Sequence, residues 1–285
     1  MLHGSSAWST HYLPAVAAIL LAWSGLQGSA PAGDQPGALS LDLRTRVEAF
    51  KGSGEWTEVS LRRQIPVKET AILICDMWDK HWCPSASKRC AALAEKMAKV
   101  IANAQAMGMP VIHAPSECME FYKDTPQRRR MLDIPRVQPP KPLVLTDPPL
   151  PVDDSDGGCD CDEPVKMSRA WSRQHEAIPI AANDLISDNG AEVYSFLKQR
   201  GIKTLIVMGV HTNMCVLGRS FAIRQMTRWG IHCVLVRDLT DSMYNPKKAP
   251  YVSHEKGTEL IIQHIEKYWC PSMLSDDLLV QAAKP

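Results

Sequence analysis

The sequence predicts an α/β fold of three layers, in which a mostly parallel sheet of about six strands lies between two layers of helices. Short, almost continuous apolar runs, such as residues 70–75 and 204–208, are typical of parallel strands covered on both faces. Segments with helical spacing of apolar residues separate these runs. Because strands that alternate with helices favour right-handed crossovers, the pattern indicates one parallel sheet.

The composition limits the classes of partner. The chain has 285 residues, a formal net charge of +1 at pH 7 and 45% hydrophobic residues. This length can bury a sizeable core. The near balance of charge gives no reason to expect a nucleic acid or an anionic membrane as a partner.

Residues 1–30 differ from the rest of the chain. The run from Leu13 to Leu26 is apolar except for Ser24, and the small residues 28–30 follow it. This pattern predicts a signal peptide that is cleaved near Ala30, and the run is short for a membrane span. We therefore expect an exported protein, periplasmic or secreted, without a membrane anchor after processing; a membrane anchor or a mis-annotated start is the alternative.

The predicted domain begins after an N-terminal linker and arm at residues 31–67, in which Leu39, Leu41 and Leu43 alternate with polar residues and indicate one short strand. The domain itself covers residues 68–275, and residues 276–285 form a C-terminal tail. Residues 115–173 are rich in proline and acidic side chains, and we interpret them as a long irregular insertion over the carboxyl edge of the sheet.

Within this domain the apolar pattern indicates alternating elements. The predicted strands are 69–76, 110–114, 177–180, 204–208 and 232–236. The predicted helices are 85–107, 191–200, 217–229 and 254–268, the last with Ser253 as its N-cap.

Two reactive side chains follow strands of this sheet. Cys215 lies between the strand at 204–208 and a helix, and Asp76 closes the strand at 69–76, so both are expected at the carboxyl edge where such folds bind ligands. A helix dipole would lower the pKa of the Cys215 thiol, and a nearby carboxylate can accept its proton. A buried structural cysteine is the alternative.

These segments resemble the isochorismatase-like cysteine hydrolases. Residues 72–79 look like the first-strand motif of that family, and residues 209–216 look like its nucleophile motif, Gly-x-x-Thr-x-x-Cys-Val. The resemblance covers about residues 68–267. It implies a six-stranded parallel sheet, Cys215 as nucleophile and Asp76 as acid/base. It further implies a cis peptide bond entering His211, with the backbone N–H groups of His211 and Cys215 facing an oxyanion.

The resemblance also implies an activity. We expect hydrolysis of a small-molecule amide or related C–N bond through a thioester on Cys215, with no cofactor, and a homo-oligomer, because family members often assemble. One departure is serious: the usual lysine would fall near Ala182 or Asn183, and neither is basic. Lys80, Arg173 and His175 are conceivable substitutes. The alternative function is a non-catalytic protein that binds a small ligand in the same pocket.

Metal binding is considered at two places and assigned at neither. Asp79, His81 and His113 form a weak pattern. Cys159 and Cys161, near His175 in the sequence, would hold zinc or form disulfides, but an exposed acidic loop is the interpretation we favour. The chain has nine cysteines, so at least one is unpaired in a monomer. Cys75 and Cys233 are expected as buried thiols.

Overall fold

Eight strands form one sheet in the computed structural model, which describes residues 37–279. In chain order they are β1 (Ala38–Glu48), β2 (Trp56–Pro66), β3 (Thr70–Cys75), β4 (Val111–Ala114), β5 (Leu185–Ile186), β6 (Thr204–Val210), β7 (His232–Asp241) and β8 (Ser272–Met273). Their spatial order is β2-β1-β8-β7-β6-β3-β4-β5. The predicted signal peptide lies outside the described residues.

Six of these strands, β8-β7-β6-β3-β4-β5, run parallel and correspond to the predicted sheet. The count of about six is nevertheless wrong, because β1 and β2 form an antiparallel hairpin that extends the sheet beyond β8. The predicted arm therefore belongs to the sheet. Leu39 and Leu41 are fully buried, whereas β2 is largely exposed and polar and carries no pattern that marks it as a strand.

Eight helices accompany the strands in the described range. They are α1 (Pro84–Ala106), α2 (Met119–Tyr122), α3 (Pro126–Leu132), α4 (Gly190–Gln199), α5 (Cys215–Gly218), α6 (Ile223–Arg228), α7 (His254–Tyr268) and α8 (Asp276–Leu279). None of these helices is long and apolar enough to cross a membrane.

The helices form two layers, as predicted. Alternate residues of β3 point to opposite faces, so Leu73 packs in one core cluster and Ile72 in the other. Buried residues of α4, α6 and α7 cover the first face, and those of α1 and α8 cover the second. The three-layer α/β/α arrangement is therefore confirmed, and α8 adds an ordered turn to the predicted C-terminal tail.

Two predicted elements differ from the structure. Residues 177–180 are a loop, because Pro179 cannot donate a backbone hydrogen bond to a sheet, and the strand is β5 instead. The helix predicted at 217–229 is divided into α5 and α6. At this break the hydroxyl of Ser220 accepts a hydrogen bond from the backbone N–H of Gly190, 3.0 Å away, so α4 begins directly against it.

The insertion at 115–173 contains α2 and α3 and is otherwise mostly without regular structure. It is fastened to the domain by ion pairs, which include a short contact of Arg128 with Glu192 of α4 and a 2.9 Å contact of Arg136 with the same carboxylate. The predicted N-cap of α7 is present, since the Ser253 hydroxyl accepts a hydrogen bond from the backbone N–H of Lys256.

Candidate active site

Cys215 lies where the sequence predicted it, at the carboxyl edge of the sheet in the turn between β6 and α5. Its side chain is partly buried and packs against a small cluster that includes Trp78, Tyr122 and Ile186. Trp78 follows β3, Ile186 ends β5 and Cys215 follows β6, so residues from three strand ends at the same edge of the sheet meet at the thiol. The Cys215 side chain also packs against the core cluster that α4, α6 and α7 cover.

Asp76 follows β3 and is fully buried. Its backbone takes the left-handed conformation with a φ of 46°, which aspartate adopts more readily than most residues. The backbone N–H of Ser116 donates to its Oδ1 at 2.6 Å. Because β3 and β6 are adjacent and in register from Thr70 to Cys75, the Asp76 carboxyl lies beside the Cys215 thiol, and the two side chains interact.

Arg219 supplies a cation at this point. Its Nε donates to Oδ2 of Asp76 at 3.0 Å, and its terminal nitrogen lies 3.6 Å from Glu117. The positive charge of the guanidinium also acts on the Cys215 thiol. Arg219 is the C-cap residue of α5, four residues after Cys215, and its backbone N–H donates to the Cys215 carbonyl at 3.0 Å. The structure therefore brings a thiol, a carboxyl and a guanidinium together.

Sequence reasoning missed Arg219. Ala182 and Asn183, where the family lysine was expected, precede β5 and so lie toward the amino edge of the parallel sheet, away from Cys215. The three conceivable substitutes, Lys80, Arg173 and His175, line a separate surface pocket of about 320 Å³. The i, i+4 spacing from Cys215 to Arg219 was the signal that could have identified the cation.

The prediction that a helix dipole lowers the pKa of the Cys215 thiol is wrong. Burial raises the pKa of its thiol well above the ordinary value, and the negative charge of Asp76 raises it further, while Arg219 and the backbone N–H of His211 oppose the rise. The helix α5 has only four residues, so its dipole cannot offset these effects. Cys215 is therefore a thiol in the resting protein, and it needs a base.

Asp76 has the properties of that base. Burial raises the pKa of its carboxyl above the ordinary value, against the opposing effects of Arg219, Cys215 and Ser116. A raised pKa lies closer to the operating pH, where a carboxyl can both accept and donate a proton during a reaction. The arrangement can move the thiol proton to Asp76 without creating an isolated charge, because Arg219 remains beside both groups.

The turn before Cys215 has the geometry that the resemblance implies. The peptide bond between Val210 and His211 is cis, and the backbone N–H of His211 points to the Cys215 sulfur. Thr212 donates its N–H to the Asp241 carbonyl at 2.8 Å. Hydrogen bonds to Met243 hold the Asn213 side chain. These contacts fix the turn. The oxyanion role of His211 and Cys215 stays a prediction.

Aromatic rings form one wall near the thiol. Trp78 and Trp171 stack with ring centroids 4.2 Å apart, and His81 stacks on Trp171 and meets His211 edge-on at 4.8 Å. Burial lowers the pKa of His81 to about 4 and that of His211 to about 3. Both imidazoles are therefore neutral at pH 7. Nε1 of Trp171 and Nε2 of His211 are buried and have no hydrogen-bond partner among residues 37–279.

The predicted metal patterns assemble differently. Asp79 accepts hydrogen bonds from Ser172, and His113 is held between Gln174 and Asp184, so neither joins His81. Cys159 and Cys161 do not meet His175. They lie beside Cys83 instead, and one ligand atom from each of these three cysteines lies within 4.8 Å of the others.

Comparisons with known proteins agree with the motif. A model of the isochorismatase domain matches residues 189–250, which include α4, β6 and the Cys215 turn. The resemblance predicted from residues 209–216 is therefore confirmed over this segment of the chain. No protein with a curated description matches the chain.

Solved structures with a similar backbone share little sequence. A cysteine hydrolase from Pseudomonas syringae pv. phaseolicola 1448A is 16% identical over 76% of this chain and 94% of its own, with a TM-score of 0.49. An isochorismatase family protein from Burkholderia thailandensis is 16% identical over 76% and 97%, at 0.44. An isochorismatase-like hydrolase from Alkaliphilus metalliredigens is 16% identical over 77% and 98%, also at 0.44.

Proposed function

We propose that this protein is an isochorismatase-like hydrolase that uses Cys215 to cleave an amide or related C–N bond of a small molecule. The observation that carries the proposal is the ion pair of 3.0 Å between Arg219 and Asp76, beside the Cys215 thiol. A nucleophile, a proton carrier and a fixed cation are the parts that covalent hydrolysis needs.

The first half of the reaction forms a thioester. Asp76 accepts the thiol proton as the Cys215 sulfur attacks the substrate carbonyl carbon. The carbonyl oxygen gains negative charge, and in this proposal the backbone N–H groups of His211 and Cys215 stabilise it. The protonated Asp76 then donates to the leaving nitrogen, the C–N bond breaks and an amine or ammonia departs.

The second half regenerates the thiol. Asp76, now ionised again, accepts a proton from a water molecule that attacks the thioester carbonyl. The C–S bond breaks, the Cys215 sulfur recovers a proton from Asp76, and a carboxylic acid is released. Arg219 holds one positive charge beside Asp76 throughout, because a guanidinium does not lose its proton in proteins.

The wall formed by Trp78, Trp171 and His81 supports a choice of substrate. Stacked rings offer a flat apolar surface, and the neutral state of His81 gives no attraction for an anionic acyl group. The unpartnered Nε1 of Trp171 and Nε2 of His211 favour a ligand that carries its own hydrogen-bonding groups. We therefore propose a small, planar, uncharged carboxamide.

The test is turnover of a panel of primary amides, ureas and carbamoyl compounds, measured as released ammonia. Wild-type protein should form product, and Cys215→Ala should lose it. The matched control is Cys233→Ala, which removes a buried thiol from the first part of β7, far from the carboxyl edge. Equal rates in wild type and Cys215→Ala would exclude the mechanism.

We further propose, from residues 1–30 alone, that the protein is exported. Mass spectrometry of the full chain expressed in a bacterial host should find a mature form that begins near residue 31 outside the cytoplasm. An intact N-terminus in the cytoplasmic fraction would contradict export while leaving the hydrolase proposal untouched.

A further inference from the structure

We propose that Cys83, Cys159 and Cys161 form a binding site for a thiophilic metal ion of the Zn²⁺ type, separate from the Cys215 site. The proposal does not depend on the hydrolase function. It concerns residues 83 and 159–161, which the mechanism above does not use.

The spacing of the sulfurs fits metal coordination. The three ligand atoms lie within 4.8 Å of one another, and the sulfurs of Cys83 and Cys161 are 3.8 Å apart. Zinc–sulfur bonds are about 2.3 Å long, and two thiolates on a tetrahedral ion are therefore about 3.8 Å apart. Three converging thiols from two separate segments are a donor set that zinc and similar soft ions prefer.

The loop that carries two of these cysteines is held in place by glycine. Gly158 has a φ of +70°, and a Cβ at this position would lie 2.2 Å from the carbonyl oxygen of Met243. Only glycine therefore allows the loop to approach Met243 so closely. Cys83 approaches from the other side as the N-cap residue of α1. The three thiols are brought together by backbone geometry on both segments.

Polar groups surround the sulfurs in the way that supporting residues surround metal ligands. The Ser85 hydroxyl lies 3.3 Å from the Cys83 sulfur and 3.1 Å from the Cys161 sulfur, and it donates to the Asp160 carboxylate. Arg89 forms a 2.8 Å ion pair with Asp160. Because Ser85 and Arg89 occupy both oxygens of Asp160, we assign the carboxylate a supporting role rather than a ligand role.

The surroundings allow an ion to enter. Cys83 is fully buried, whereas Cys159 and Cys161 are partly exposed. Met214 and Met243 pack against the same cluster. Binding would form three metal–sulfur bonds, release the thiol protons to solvent and leave a fourth position open to water. The ion would fasten the acidic loop to the beginning of α1, next to the turn that carries Cys215.

The experiment is metal analysis of the mature protein after reduction, incubation with ZnCl₂ and gel filtration. We expect one zinc per chain, and Co²⁺ in its place should give thiolate-to-metal charge-transfer absorption. Cys161→Ser should weaken binding about 100-fold or more, and Ser85→Ala about 10-fold. Two controls should keep the metal and the absorption band. They are Cys90→Ala on α1, the helix that Cys83 caps, and Cys215→Ala at the proposed nucleophile.

Two results would overturn the proposal. The first is a zinc content in Cys161→Ser equal to that of wild type, with the charge-transfer band retained. The second is a disulfide between two of the three cysteines in the exported protein, detected by peptide mass mapping without reduction. This result counts against the site if the disulfide forms again after reduction even when zinc is present. Circular dichroism shows whether each variant is folded. If Cys161→Ser does not fold, Cys159→Ser provides a second partly exposed position for the same test.

Discussion

Arg219 determines which side chain of the site can carry a proton. A lysine beside a catalytic cysteine can exchange protons, whereas a guanidinium keeps its proton and acts as a fixed charge. In the proposed mechanism, Asp76 is then the group that carries the proton in both half-reactions. The 3.0 Å contact of Arg219 with Asp76 also explains how a fully buried carboxylate persists next to an apolar cluster.

Substitution of Arg219 tests this role. Arg219→Met should lower kcat/KM about 100-fold, because the negative charge that moves between Asp76 and Cys215 would lose its neighbouring cation. Arg219→Lys keeps a charge but not the Nε donor geometry, and it should retain activity within about 10-fold of wild type. The measurement is steady-state kinetics on the best amide of the panel. Equal losses in both variants would argue against a charge effect.

The pH profile tests the assignment of Asp76. The carboxyl must be ionised to accept the thiol proton, so kcat/KM should rise with pH through the pKa of Asp76, which burial raises above the ordinary value of about 3.9. Arg219 opposes that rise, so Arg219→Met should move the acid limb to higher pH by about one pH unit or more. Asp76→Asn should abolish the limb and most of the activity. An unchanged limb in Arg219→Met would contradict the assignment.

The sequence was sufficient to place Cys215 and Asp76 at the carboxyl edge of the sheet, because each follows a strand that its apolar run identifies. It was not sufficient for the thiol pKa or for Arg219. The pKa depends on burial by Trp78 and other residues distant in the chain. Arg219 becomes part of the site through its contact with a carboxylate that precedes it by 143 positions.

At the scale of elements, the close pairing of β3 with β6 sets the distance between the two reactive groups. Cys75 pairs with Gly209, directly before Asp76 and the cis peptide bond. Gly209 has a φ of +127°, and a Cβ there would lie 2.0 Å from the carbonyl oxygen of Cys75. The β6–β7 register also shifts at this residue. Gly209 is therefore the point at which the strand turns toward the site.

Gly209→Ala should destabilise the protein by about 3 kcal/mol or more, because the new methyl group would push β3 and β6 apart and strain the backbone. The matched control is Gly218→Ala in α5, where a Cβ meets no atom within 4 Å. That control should be neutral or stabilise slightly, since alanine is the better helix former. Urea unfolding followed by circular dichroism gives both values. Equal stability of the two variants would show that β3 and β6 can separate at no cost.

Element boundaries followed the sequence where apolar periodicity was strong, as in α1 and α7. They did not follow it where polar residues form structure through partners. The strand β2 is exposed and polar but pairs with β1 along its whole length. The short strand β5 has two residues and is defined only by its pairing with β4. Local pattern cannot predict such elements, because tertiary pairing determines them.

For the whole molecule, one buried carboxylate holds α3 and the segment that follows it against α4. Glu192 of α4 is buried and interacts with Arg128, Arg136 and Ser187. Burial raises the pKa of Glu192, but the hydrogen bonds from Arg128, Ser187 and Arg136 outweigh it and hold the pKa at about 2. The insertion and the end of β5 are thereby fixed to the domain, on the side of the sheet edge where Cys215 lies.

This network predicts how stability depends on pH. A carboxyl whose pKa is lowered on folding stabilises the protein fully above its unfolded pKa of about 4.3, and this stabilisation is lost as the pH falls toward about 2. Glu192→Gln should cost about 3 kcal/mol at pH 7, because Arg128 would be left without its buried partner. The Glu192→Gln variant should also lose less stability than wild type between pH 4.5 and 2. The other carboxyls are the same in both proteins, so this difference reports on Glu192. Glu95→Gln, on the exposed face of α1, is the control and should match wild type in urea unfolding at each pH. A Glu192→Gln variant that is as stable as Glu95→Gln at pH 7 would show that Glu192 does not hold the insertion.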